Sequence, residues 1–183
     1  MPLHPGEIFA NRFEIDRLAS SGGMGTVYRA RDRYSGDFVA LKVLQHGLGA
    51  ADETERFVRE AQILAELRHS GIVSHIAHGQ TPEGQQFLAM EWLDGEDLGQ
   101  RLERQGLTLE ETLTLVQCVS DALGTAHERG IVHRDIKPSN LFLAAGDVSQ
   151  VKVLDFGLAR LSGVRGKLTQ TGSVMGTPGY MAP

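Results

Sequence analysis

Two polar clusters constrain this chain more than anything else in it: His133-Arg134-Asp135-Ile136-Lys137-Pro138-Ser139-Asn140, and then Asp155-Phe156-Gly157. Two short apolar runs lie between them, Leu141 to Leu143 and Gln150 to Leu154. A turn around Gly146-Asp147 joins the runs, which predicts a compact hairpin. Asp135, Asn140 and Asp155 therefore stand beside short strands. They are the residue types that phosphoryl transfer needs: a carboxylate to orient a hydroxyl and accept its proton, and oxygen ligands for magnesium, which prefers a carboxylate, an amide and phosphate oxygens. Ordinary polar loop residues are the competing account, but a chance match of both clusters in this order and at this spacing is improbable.

The pattern before these clusters divides in two. The first ninety residues read mainly as strands: Phe13 to Ser20, Gly25 to Arg31, Asp37 to Leu44, Ile72 to Gly79 and Gln85 to Glu91, which together predict a small antiparallel sheet. One helix interrupts them, from Asp52 to His69, with Phe57, Leu64 and Leu67 at helical spacing and Asp52 as its N-cap. Past Glu91 the pattern turns helical, with a short helix near Glu96 to Arg104 and a long one from Leu109 to Glu128. Thr108 and Glu111 form a capping box for the long helix and Gly130 supplies its stop. From Asp155 onward the chain is rich in Gly, Thr and Ser without an apolar face, and reads as a long loop of the kind that is functional or disordered. The fold class is α+β, and the division expected is a leader at 1–12, a sheet-bearing lobe at 13–91 and a mainly helical part at 92–183.

Charge narrows the ligands. With 18 Lys+Arg against 23 Asp+Glu, a formal net charge of -5 argues against nucleic acid or a membrane surface as partner. A phosphate-bearing ligand would have to be held by backbone N–H groups, a placed lysine or a metal. Cys118 is the only cysteine, so no disulfide framework exists within the chain, and it reads as a small buried hydrophobe. Neither a signal peptide nor a membrane-spanning run is present in these residues, which suggests a cytoplasmic location while leaving open a span beyond Pro183.

Such local devices are visible. Ser20-Ser21-Gly22-Gly23-Met24-Gly25-Thr26-Val27 lies between two strands, where glycines let the backbone approach a phosphate; a plain glycine-rich hairpin turn accounts for the same residues equally well. In the next strand Ala40 and Lys42 share one face, opposite Val39, Leu41 and Val43. Glu60 falls on the apolar stripe of the following helix, and a buried carboxylate there needs a partner, for which Lys42 is the obvious candidate. The alternative has Glu60 reaching water at the edge of the stripe while Lys42 snorkels.

Taken together these residues resemble the protein kinase family, and are most similar to the bacterial serine/threonine kinases of eukaryotic type, from about Phe13 to Pro183. Val39-Ala40-Leu41-Lys42 resembles the nucleotide-lysine motif, Glu60 the helix glutamate, and Gly176-Thr177-Pro178-Gly179-Tyr180-Met181-Ala182-Pro183 the end of the activation segment. The resemblance implies a two-lobed fold, ATP and Mg2+ as cofactors, and proteins with Ser or Thr as substrates. Lys42, paired to Glu60, would hold the α and β phosphates; Asp135 would be the base, Lys137 the stabiliser of the transferring phosphate, and Asn140 and Asp155 the magnesium ligands. The glycine loop would contribute Ser20, Gly22 and Gly25. Met90 resembles the gatekeeper, with the backbone of Glu91 and Leu93 on the adenine edge, Val27 and Ala40 on one side of the ring and Phe142 on the other. Asp97 matches the ribose position, with Glu96 as a rival, and Lys137 and Thr177 mark the serine/threonine subclass.

The resemblance extends to regulation. Arg134 and Arg160 would bind a phosphate carried on Thr171 or Thr169, with Ser173 as the alternative, which implies self-association for autophosphorylation. Two departures stand out. Ser20 replaces the usual first glycine, and the match breaks off after Pro183, so the chain reads as the front part of a catalytic domain whose second lobe is incomplete and which is expected to be poorly active by itself. A pseudokinase acting as a scaffold, or a small-molecule phosphotransferase, are rival readings; Lys42, Asp135 and Asp155 weigh against the first and the long Thr-rich segment against the second.

Overall fold

The computed structural model describes residues 2–22, 25–44, 50–156, 160–161 and 178–180. Its elements are, in order, β1 (Ile8–Phe9), β2 (Phe13–Gly22), β3 (Gly25–Asp32), β4 (Phe38–Val43), α1 (Ala50–Glu66), β5 (His75–Gln80), β6 (Gln86–Glu91), β7 (Gly95–Asp97), α2 (Leu98–Arg104), α3 (Leu109–Glu128), β8 (Ile131–Val132), β9 (Leu141–Ala144), β10 (Val151–Val153) and β11 (Arg160–Leu161). The architecture is α+β. It divides into two compact units, one of Met1–Ala65 with Ser74–Leu93, the other of Glu66–Val73 with Asp94–Pro183.

The first unit is built on a six-stranded antiparallel sheet in the order β1-β2-β3-β4-β6-β5. Alternation decides what each face does. In β4, Val39, Leu41 and Val43 are buried while Ala40 and Lys42 are half-buried, and β3 alternates likewise through Tyr28 and Ala30. The buried set joins Phe9, Phe13, Ile15, Phe87 and Ala89 in one cluster, where the rings of Phe9 and Phe13 meet Phe87 edge-on at 5.5 and 5.8 Å. The N-terminal residues are tied to this sheet: β1 pairs with β2, and buried Asp32 takes a bidentate hydrogen bond from Arg12 at 2.9 and 2.7 Å. That bond holds the Asp32 carboxyl below its ordinary pKa against the opposing effect of burial.

Helix α1 buries Phe57, Ala61 and Leu64 together with Glu60, the stripe that a period of 3.6 predicts. It begins at Ala50, so Asp52 lies inside the helix and is not its cap, a correction to the expected start. A second correction concerns Ile72 and Val73, expected to open a strand. The strand starts at His75, because Val73 N donates to Val153 O and Val153 N to Gly71 O, which draws these two apolar residues onto β10 in the second unit.

The second unit carries two small sheets, β10-β9-β7 and β11-β8, and helices α2 and α3. Helix α3 starts at the expected capping box: Thr108 accepts from Glu111 N at 3.1 Å and Glu111 accepts from Thr108 N at 2.8 Å. Gly130, at φ +70°, follows its end. The helix buries Leu115, Ala122 and Ala126, and leaves Leu109, Leu113 and Val116 exposed. Buried Arg101 of α2 fastens three pieces, donating to Gly106 O, Gly146 O and Glu111 Oε1. Strands β7, β8 and β11 were not expected. Each has two or three residues, too few to show a period of two.

Candidate active site

Each unit presents its own set of polar residues. In the first, register places the expected nucleotide residues on the sheet face opposite the apolar cluster: Val27 pairs with Lys42 and Lys42 with Leu88, while Arg29 pairs with Ala40 and Ala40 with Met90. Lys42 Nζ lies 2.7 Å from Glu60 Oε2, with the side chains 12% and 2% exposed. The carboxylate is thus partnered inside the unit and does not reach water, which decides between the two sequence readings. The ammonium also stands 5.9 Å from the Phe57 ring, so the helix that supplies Glu60 supplies an aromatic face as well.

The glycine-rich turn joins β2 to β3. Pairing runs through Ser20 opposite Val27 to Gly22 opposite Gly25, so Ser20 keeps a ladder partner just after a register shift between Leu18 and Ser20, and it is exposed. Gly25 has no such freedom: at φ +134° an added Cβ would stand 2.5 Å from Val43 O, so only glycine lets β4 approach this closely. Gly23 and Met24 of the same turn lie outside the described residues. At the far end of β6, Glu91 is gripped by Ser74 twice, its N–H donating to Ser74 O at 2.9 Å and its Oε1 accepting from Ser74 N at 2.8 Å. Trp92 and Leu93, both half-buried, continue beyond the strand.

In the second unit the hairpin β9–β10 brings the two clusters together. Val153 pairs with Leu141, and Leu154 N donates to Asn140 O at 2.9 Å, so Asp155 follows directly where Asn140 begins the hairpin. Lys137 Nζ is 2.8 Å from Asp135 Oδ2. Buried Asn140 donates through Nδ2 to Asp135 O at 2.8 Å and to Asp135 Oδ2 at 3.3 Å. Because both neighbours are acceptors, the NH2 must face them, and the amide oxygen is turned elsewhere. That oxygen and the Asp155 carboxylate are hard donors of the type magnesium accepts, with phosphate oxygens to complete its shell. The residues present therefore fit the ion, and among the described residues no cluster of three or more His, Cys, Asp or Glu competes for a metal.

The backbone around this cluster is unusual, with Arg134 at φ +69° and Asp155 at φ +59°, both in the left-handed region. His133 stabilises both bends. Its Nε2 lies 2.8 Å from Leu154 O, its Nδ1 accepts from Asp135 N at 3.3 Å, and its ring meets that of Phe156 edge-on at 4.7 Å. Burial lowers the pKa of this histidine, and a neutral ring with its proton on Nε2 satisfies both hydrogen bonds. Sequence reading missed this role. The available signal was a histidine flanking an otherwise polar cluster, with nothing to show that its partner is Leu154.

Other expected residues find mixed surroundings. Phe142, half-buried between buried Leu141 and Leu143, pairs with Asp97 of β7. Asp97 caps α2, its Oδ1 accepting from Gln100 N at 3.1 Å, while Glu96 forms an ion pair with Arg104. The main chain of Arg160 pairs with Val132, two residues before Arg134. Thr169, Thr171, Ser173 and Thr177 lie outside the described residues.

Residues 13–183 match the protein kinase domain family. The chain is 42% identical over 186 residues to the DNA damage-responsive serine/threonine-protein kinase RqkA of Deinococcus radiodurans, covering 100% of this chain and 27% of that protein. It is 42% identical over 184 residues to the serine/threonine-protein kinase PknJ of Mycobacterium tuberculosis, covering 99% and 31%. The chain thus spans about a third or less of the length of these relatives. Its fold is similar to the crystal structure of the M. tuberculosis PknI kinase domain, with a TM-score of 0.73 and 34% identity over 85% of this chain and 62% of that one. The chain belongs to the protein kinase family, as a protein kinase domain whose relatives are bacterial serine/threonine kinases.

Proposed function

We propose that the protein containing this chain transfers the γ-phosphate of ATP to Ser or Thr of protein substrates, and that the polar residues of both units do this work. The observation that carries the reading is the cluster at Asp135, where Lys137 Nζ at 2.8 Å and the Asn140 amide at 3.3 Å both face one carboxylate oxygen. Asp135 accepts the proton of the substrate hydroxyl, and Lys137 offsets charge on the phosphoryl group as it leaves ATP. Asn140 and Asp155 would hold Mg2+, which neutralises phosphate charge when bound. Lys42, oriented by Glu60, holds the α and β phosphates, and the turn at Ser20, Gly22 and Gly25 offers backbone N–H groups to them. Met90, Val27, Ala40 and the main chain of Glu91 and Leu93 are read as adenine contacts, and the family resemblance adds Phe142 as an apolar contact. Asp97 contacts the ribose through the oxygen not used in capping. Residues 13–91 are read as the first lobe and 92–183 as the start of the second.

Regulation is part of the same reading. Strand pairing sets the main chain of Arg160 beside Val132, close in sequence to Arg134, and a phosphate on Thr171 or Thr169 would suit two guanidiniums, with Thr177 serving the serine/threonine specificity. Location is read as cytoplasmic for this segment; among the described residues no helix is long and apolar enough to cross a membrane. The test is incorporation of γ-labelled phosphate from ATP into protein by the intact protein, followed by identification of the phosphorylated residue types and by peptide mass spectrometry of residues 168–174. Phosphoserine or phosphothreonine is the expected product. Tight ATP binding without transfer would show a pseudokinase scaffold, and transfer only to a small molecule would show the third reading.

A further inference from the structure

We propose that Arg29, stacked on Phe38 and within cation–π reach of Trp92, is a positioning residue that fixes the segment Glu91 to Leu93 and so sets affinity for the adenine ring of ATP. This rests on the reading of that segment as the adenine edge.

The guanidinium is held by rings more than by hydrogen bonds. Arg29 Cζ lies 3.6 Å from the centroid of Phe38 and 5.5 Å from that of Trp92, and Arg17 Cζ lies 5.4 Å from the same Trp92 ring. The Arg29 side chain is 24% exposed and its nearest carboxylate oxygen, Asp16 Oδ2, is 3.5 Å from Nε. That Nε is shielded from solvent and makes no hydrogen bond. Asp16 also lies 3.8 Å from Arg17 Nε, so one carboxylate balances part of the charge of two guanidiniums. Three strands and one following segment supply the group: Asp16 and Arg17 come from β2, Arg29 from β3, Phe38 from the start of β4, and Trp92 from just past the end of β6.

Its place in the sheet gives the stack a task. Arg29 pairs with Ala40, on the face that also carries Val27 and Met90, and none of the five stacked residues belongs to the apolar cluster on the other face. Strand β6 ends at Glu91, paired with Val39, so the main chain of Trp92 and Leu93 has left the ladder. What fixes such a segment is side-chain packing. Ser74 grips Glu91 from one side, and the two guanidiniums grip Trp92 next to it. Cation–π contacts of this kind order a partly exposed aromatic ring, and a donor and acceptor held in place ahead of binding raise affinity without adding a contact to the ligand.

The experiment uses the intact protein, with ATP and adenosine as probes in calorimetry and with steady-state kinetics. Arg29→Ala should raise the dissociation constants of ATP and adenosine by the same factor, about fivefold, and the KM for ATP with it, while kcat stays within about twofold. Arg29→Lys should recover part of the loss, since an ammonium keeps the cation–π attraction but not the planar stack. Trp92→Ala should match Arg29→Ala, and the double variant should be no worse than either. Unfolding midpoints recorded alongside identify any variant that loses the fold, in which case Arg29→Lys carries the comparison. Unchanged ATP and adenosine binding in folded Arg29→Ala would overturn the proposal. So would weaker ATP with unchanged adenosine, which would make Arg29 a phosphate contact. A wild-type protein that binds ATP but not adenosine in any measurable amount, and does not discriminate ATP from inorganic triphosphate, would remove the adenine reading and the proposal with it.

Discussion

Lys42 meets Glu60 at 2.7 Å and Asp135 meets Lys137 at 2.8 Å, yet the two units fix these charges by different means. Lys42 stands in a regular strand, one residue before its end, and Glu60 on a regular helix; both positions follow from the alternation of β4 and the apolar stripe of α1. Asp135 stands in irregular backbone between left-handed Arg134 and a turn at Pro138–Asn140, and it is held by side chains: Asn140 donates to it and His133 accepts its N–H. Regular structure places a charge through repeated geometry that many residues share. Irregular structure places it through a few specific bonds, and stores strain of about 1–2 kcal/mol at each left-handed non-glycine residue. The first arrangement should therefore separate stability from chemistry on mutation, and the second should couple them.

The largest effect belongs to the second unit. Asp155→Ala in the intact protein should lower magnesium-dependent phosphate transfer by about a hundredfold or more, read as initial rate against magnesium concentration. A rate unchanged at every magnesium level would remove Asp155 from the site. In the first unit, Lys42→Met takes away the ammonium 2.7 Å from a carboxylate that is 2% exposed. It should cost about 3 kcal/mol, which for a domain of this size is roughly 10 °C in the unfolding midpoint. Adding Glu60→Leu should restore most of the stability and none of the transfer activity. If the double variant stays as unstable as the single, regular structure does not separate the two properties.

A steric test comes next. Gly95 has φ +148°, and a Cβ there would stand within 2.1 Å of Leu143 O, so Gly95→Ala should force β7 away from β9 and cost about 2 kcal/mol in chemical denaturation. The capping box at Asp97 and the position of Phe142 would shift with it, which ties a backbone defect to the site in this unit. The smallest expected effect is on acid sensitivity. Burial depresses the pKa of His133, so the unfolded chain binds a proton that the folded chain refuses; stability is full above the unfolded value near 6.5 and declines as pH falls below it. His133→Gln should flatten the stability profile between about pH 7 and 5. An unchanged slope in the variant would show that another group carries it.

How much was legible follows the same division. The pairing of Lys42 with Glu60 could be read from two local periods, and the Thr108–Glu111 capping box from residues three apart. The hairpin between the polar clusters was visible as two apolar runs around a turn, although β10 begins one residue later and ends one earlier than expected. What stayed hidden depends on partners far along the chain. His133 reaches Leu154, Arg12 reaches Asp32, and Arg29 reaches Trp92, each pair separated by about twenty residues or more. No local pattern marks such bonds. Ile72 and Val73 look like the start of a strand for the same reason, since only the edge of β10 reveals that their hydrogen bonds go elsewhere. The short strand β7 was hidden by length, and its glycine is explained only by the approach of Leu143 O.

The central claim is that Asp135 does chemistry while the first unit holds nucleotide, and one measurement on Asp135→Asn tests it. The variant keeps the size of the side chain and its neighbours Lys137 and Asn140, and removes the negative charge to which the proposed function assigns the proton. ATP affinity and single-turnover transfer of the γ-phosphate to a Ser- or Thr-containing substrate are measured on the same preparation of the intact protein. The account predicts ATP affinity within about twofold of wild type and transfer slower by about a hundredfold or more, the scale of losing a general base. Transfer at the wild-type rate with ATP bound equally well would contradict it.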